Sequence, residues 1–159
     1  PSMDLHEWNV KNIYRGMGTR EQAKKRVFAW LYNPNSEDKL TNRYYDRGLV
    51  KDRFFSDGKV KTVFDREIES DDYHAFNYII QSTTSDLFMK QAMRVNDFLK
   101  DKKSFIAFLI HDSLVIDFDK SELDHINRIR QIFPQTIFGD FRSSLRIGKN
   151  YGDMKEWKL

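Results

Sequence analysis

The chain has 159 residues, a formal net charge of +3, 40% hydrophobic and 14% aromatic residues, and no cysteine. That length fits one domain, or two subdomains sharing a core, and the apolar content excludes wholesale disorder. The missing cysteines exclude disulfides and thiolate metal sites; no apolar run reaches transmembrane length, and the N-terminus lacks a signal-peptide pattern.

A cytoplasmic protein with no membrane partner is therefore expected. Its charge is uneven: residues 1–66 hold 14 Lys/Arg against 9 Asp/Glu, and residues 67–159 hold 13 against 15. A basic N-terminal half suits phosphate, on nucleotides or on a nucleic-acid backbone. On charge alone, a solvated surface explains it equally well.

In chain order, residues 4–14 read as a short helix. Thr19 with Gln22 makes a capping box for a second helix over 20–31, which stops before Asn33-Pro34-Asn35. Residues 36–56 are polar and aromatic with weak periodicity, which predicts short helical pieces. Asp57-Gly58 is a turn, and Lys59 to Phe64 alternates as a strand does. From 71 to 100 the apolar positions Phe76, Ile79, Ile80, Leu87, Phe88, Ala92, Val95, Phe98 and Leu99 keep a helical period. Residues 105–118 place two apolar strands around His111-Asp112-Ser113, where a tight hairpin turns. A helix from Ser121 to Ile132 and a strand from Ser143 to Ile147 complete the chain. Helices first, then an antiparallel sheet carrying helices, is an α+β plan.

Two features carry chemistry. Arg20, Lys24, Phe28 and Tyr32 recur every fourth residue and so share one slowly drifting helical stripe. Two cations followed by two aromatics can hold a triphosphate at one end and a base at the other. The same stripe also describes an ordinary amphipathic helix with snorkelling bases and a packed aromatic edge. Asp112, lifted to a hairpin tip, suits a hard cation with oxygen ligands, although one His-Asp pair is a weak signal.

The stripe resembles motif B, the nucleotide-binding fingers helix of family A DNA polymerases, R-x3-K-x3-F/Y-x3-Y-G. All four spaced positions match, with Asn33, which tolerates left-handed backbone, in place of the glycine. Asp4-Leu5-His6 resembles the D-x-H segment preceding that helix. Residues 58–66 resemble the G-x-V-x-T-x-x-G-R turn, with Asp65 for glycine. Residues 77–86 resemble N-x-x-x-Q-G/S-x-x-A-D on the long palm helix. His111-Asp112-Ser113 resembles motif C, usually His-Asp-Glu and commonly His-Asp-Ser in the related single-subunit RNA polymerases. The tail, Gly148 to Trp157, is similar to the C-terminal G-x-x-W region.

The resemblance implies a palm antiparallel sheet with packed helices over 58–159, and a reduced helical fingers subdomain over 1–57. It implies template-directed addition of dNTPs to a primer 3′ end with Mg²⁺. Arg20 and Lys24 neutralise the triphosphate, with Lys24 also a proton donor to pyrophosphate; Phe28 stacks on the nucleotide and Tyr32 lies beside the templating base. Arg66, Asn77, Gln81 and His111 contact primer–template DNA, and Asp112 holds metal. Asn77 and Gln81 stand one turn apart, so their amides can reach the minor groove, whose acceptors are similar in every base pair.

Three departures qualify the transfer. The second metal-binding aspartate belongs to motif A, an Asp-Tyr-Ser-type strand upstream of D-x-H that these 159 residues do not include. A companion polypeptide carrying motif A and thumb is therefore implied, from a split gene or from a longer protein of which this is a fragment. Tyr73 stands where many relatives carry arginine. The stretch between Tyr32 and Gly58 is also shorter than usual, as in a compact viral or phage enzyme acting in host cytoplasm. Two rival readings are a non-catalytic polymerase relic that binds nucleic acid or a partner, and an RNA polymerase-like enzyme.

Overall fold

The computed structural model describes residues 4–157, a mixture of helices and short antiparallel strands that divides into two compact units between Asp86 and Leu87. The boundary expected at 57/58 falls instead inside a hairpin turn of the first unit. Val50, Phe54 and Phe55, before that turn, pack against Val60, Ala75 and Ile79, after it.

The N-terminal unit opens with α1 (Leu5–Asn12), capped by Asp4, whose side chain accepts from the amides of His6 and Glu7. The helix α2 (Arg20–Tyr32) starts at the expected capping box: Thr19 and Gln22 each accept from the other's amide. Between them, Arg15 and Gly16 adopt positive φ and turn the chain, so that Ile13, Tyr14 and Ala23 share a small core with Trp8, Val10 and Val27. The short helices α3 (Lys39–Tyr45) and α4 (Arg47–Phe54) meet at Asp46, which is left-handed at φ 44° and caps α4 through Leu49 N–H. Asp46 thus serves as end of one helix and start of the next.

Strands β1 (Phe55–Ser56), β2 (Lys59–Lys61) and β3 (Glu67–Glu69) form a three-stranded antiparallel sheet. Asp57 and Gly58 both have positive φ (53° and 71°), as a two-residue hairpin turn matched to strand twist requires. The predicted strand to Phe64 stops at Lys61. A tight turn takes over, in which Thr62 N–H donates to Arg66 O and Asp65 sits at φ 65°.

The long helix α5 (Ala75–Leu99) contributes its residues through Asp86 to the first unit and the remainder to the second. In the C-terminal unit its Val95 and Leu99 pack with Ile129 and Ile132 of α6 (His125–Ile132). The hairpin β4 (Phe105–Ile110) and β5 (Ser113–Asp117) covers this cluster with Ile106, Leu114 and Ile116. Its register slips by one at Ala107: Ile106 pairs with Ile116, but Phe108 with Val115. This bulge reverses the side-chain phase, so Leu109 joins Ile106 on the core face while Phe105 and Phe108 turn outward, 56% and 41% exposed.

The predicted helix from Ser121 begins as a 3-10 turn (Lys120–Glu122) before α6. Two pairs went unforeseen, β6 (Gln135–Thr136) with β7 (Gly139–Asp140) and β8 (Arg146–Ile147) with β9 (Lys155–Glu156). The expected strand 143–147 shrinks to β8. Among the described residues the strands form four small sheets rather than one.

Candidate functional site

On α2 the spacing of four places its side chains in a continuous row. Lys24 Nζ stands 5.8 Å from the centre of the Phe28 ring, and Phe28 stacks on Tyr32 at 6.0 Å with 26° between planes. Both rings remain accessible, 39% and 51% exposed, while Ala23 and Trp30 on the opposite face are buried. His6 of α1 closes one edge, its ring centre 5.9 Å from that of Phe28. The helix therefore keeps two aromatic rings exposed, with a half-buried cation beside them.

Arg20, at the head of the row, is already engaged. Its Nε and Nη2 donate to Asp4 Oδ2 at 3.0 and 2.9 Å, and its Nη1 donates to Glu21 Oε1 at 2.5 Å. The Arg20 hydrogen bonds, helped by the α1 amides, hold the Asp4 carboxyl at about 2 against an ordinary 3.8. The foot of the row is fixed by Arg47, which sequence reasoning missed. Its guanidinium donates to the carbonyls of Trp30, Asn33 and Pro34, satisfying the open C-terminal end of α2, and lies over the Trp30 ring at 4.8 Å. Burial pushes the Arg47 pKa down. Asn33 is extended (φ −109°), not left-handed, because this arginine ends the helix in place of a Schellman turn.

Beyond Tyr32 a cleft of about 290 Å³ is lined by Arg47, Lys51, Tyr73, His74 and Asn77. Asn77 Oδ1 and Arg47 Nε are enclosed there without a hydrogen-bond partner. Asn77 and Tyr32 thus come together, while Gln81 lies exposed one turn further along α5. Arg66 is tied down: its Nε donates to Asp86 at 2.7 Å, and Thr62 Oγ1 donates to the other oxygen of the same carboxylate at 2.8 Å. The turn at 62–66 is thereby locked onto α5, with Arg66 positioning that turn while its side chain stays 47% exposed.

His111 and Asp112 lie on the C-terminal unit. Ile110 pairs with Ser113, so the turn is the two residues His111-Asp112, and His111 is left-handed at φ 52°. Both are exposed. Among the described residues, the Asp112 carboxylate accepts only a long bond from Ser113 Oγ, 3.3 Å. Among the described residues no three His, Asp or Glu side chains gather to hold a metal ion. One carboxylate falls short of what Mg²⁺ needs, so Asp112 alone does not make a Mg²⁺ site. No helix among the described residues is long and apolar enough to cross a membrane.

No known family pattern and no curated protein matches this chain.

Proposed function

We propose that this chain is the fingers–palm portion of a family A-like DNA polymerase, and that α2 binds the incoming dNTP. The observation that carries the reading is the row Lys24, Phe28 and Tyr32, a half-buried cation beside two exposed, stacked aromatics on one helix face. Nucleotides supply both a base to stack on the rings and phosphates to pair with the cation. Two further features support it. Asp65, at the position the family fills with glycine, has the positive φ that favours glycine. Thr62, Arg66 and Asp86, which belong to two separate motifs, meet in one hydrogen-bonded cluster.

In this reading Lys24 and Arg20 neutralise the triphosphate, Phe28 stacks on the nucleotide, and Tyr32 and Asn77 border the templating base. Arg66, Gln81 and His111 contact primer–template DNA. Asp112 supplies one carboxylate to a Mg²⁺ site whose other ligands lie on a motif A strand outside these 159 residues. Bound there, Mg²⁺ would stabilise charge on the transferring phosphoryl group.

The test is direct binding of dATP to the full chain at low salt, followed by calorimetry. Wild type should bind, Lys24→Ala should weaken binding by about tenfold or more, and Arg20→Ala should weaken it less. Primer extension should need an added motif A-bearing polypeptide. No dATP binding, or binding indifferent to Lys24→Ala, would falsify the assignment of α2.

A further inference from the structure

All three nitrogens of the Arg20 guanidinium donate to carboxylates: Nε and Nη2 to Asp4, Nη1 to Glu21. With both carboxylates ionised, the trio of Arg20, Asp4 and Glu21 carries a net charge of −1, at the head of a row proposed to receive a polyanion. The two carboxylates differ in how they are held. Asp4 is fixed, because its other oxygen, Oδ1, accepts from the amides of His6 and Glu7 in the first turn of α1; its side chain is 25% exposed. Glu21 is 65% exposed and its bond to Arg20 is between sequence neighbours. Arginine nevertheless remains 41% exposed, so a ligand can reach its fork.

A triphosphate offers the guanidinium the same paired oxygens that a carboxylate does, with more charge. We propose that Asp4, assisted by Glu21, is a carboxylate latch on Arg20 that an arriving triphosphate must open. Asp4 thereby sets how tightly the α2 surface takes polyphosphate. This rests on the nucleotide-binding reading of α2. The latch has a use in an empty site. It keeps the guanidinium pre-positioned one turn from Lys24 on the same helical face, and it prevents weak anions from occupying the fork. Because the Oδ1 bonds to α1 do not involve Arg20, Asp4 can surrender Oδ2 contacts while α1 stays capped.

Inorganic tripolyphosphate is the probe, titrated by calorimetry into the full chain at low ionic strength. Asp4→Asn keeps an N-capping side chain but removes the competing charge. It should bind tripolyphosphate about fivefold tighter than wild type, the scale of one exposed ion pair, and added salt should shrink the gain. Glu21→Gln tests the same competition without touching the cap and should tighten binding by about twofold. The Asp4→Asn gain should vanish in an Arg20→Ala background, as a mere change of net charge would not.

If Asp4→Asn and Glu21→Gln both bind no tighter than wild type while Lys24→Ala still weakens binding, the latch is overturned and the nucleotide-binding reading stands. If neither wild type nor Asp4→Asn binds tripolyphosphate or dATP, both fall together.

Discussion

Arg47 holds the foot of the α2 row, and its removal shows how far that surface depends on a residue outside it. The guanidinium donates to three main-chain carbonyls at the end of α2 and lies 4.8 and 5.3 Å from the ring centres of Trp30 and Phe76. A hydrogen bond to a charged group contributes about 1.5–3 kcal/mol, and a partly desolvated cation–π contact about 0.5–2 kcal/mol. Two effects oppose these gains. Burial disfavours the charged guanidinium, as its lowered pKa shows, and water can reach some of the freed carbonyls once the side chain is gone. We therefore expect Arg47→Ala to destabilise the N-terminal unit by about 2–4 kcal/mol, well short of the summed contacts.

Urea unfolding read by tryptophan fluorescence measures this in a Trp157→Phe background, which leaves Trp8 and Trp30 of the N-terminal unit as reporters. Arg47→Lys keeps the charge but lacks the planar fork, so it should recover less than half of the loss. Tyr32 follows Trp30 by two residues, so dATP binding should weaken in step. An Arg47→Ala chain within about 0.5 kcal/mol of its parent would show that water caps α2 equally well and that the guanidinium is idle.

Two other outcomes follow from named contacts. On the polymerase reading, and with a motif A-bearing companion present, Asp112→Asn should depress single-turnover extension by several orders of magnitude and spare DNA affinity, which phosphate contacts generally dominate. Ser113→Ala should be mild, because its hydroxyl reaches Asp112 only at 3.3 Å; normal extension by Asp112→Asn would favour a non-catalytic nucleic-acid-binding module. The Asp4 carboxyl titrates at about 2 when folded, below its ordinary 3.8. A depressed folded pKa means the stabilisation is present above the unfolded value and lost as pH falls through the folded one. The gap in melting temperature between wild type and Asp4→Asn should hold from about pH 5 upward and close between about pH 4 and 2. A gap unchanged at the acid end would mean that the Arg20 pairing contributes nothing to stability.

The local plan was legible from the residues. Thr19 and Gln22 announce a capping box, and Asp57-Gly58 a two-residue hairpin turn. The apolar period of 76–99 announces one long helix, and 105–118 a hairpin turning at His111-Asp112-Ser113, of which Ser113 already belongs to β5. Each of these is decided by bonds within a few residues, which sequence spacing fixes directly. The row Lys24, Phe28 and Tyr32 was equally readable, because a repeat of four on a helix settles which side chains are neighbours.

What tertiary structure alone decided is how those side chains are occupied. Spacing cannot tell that Asp4, sixteen residues away, takes two nitrogens of Arg20, or that Asp86 takes Arg66. Nor can it tell that Arg47 ends α2 and leaves Asn33 extended. The bulge at Ala107 is another case: alternation predicts Phe108 on the same face as Ile106, and one inserted residue puts them on opposite faces. The strands of two residues at 135–156 carry too few positions for any alternation to register, so their pairing is set by the chain folding back on itself. Residue type and period fix what a helix face offers; which charges meet across the fold depends on long-range closure, for which a single sequence holds no short-range signal.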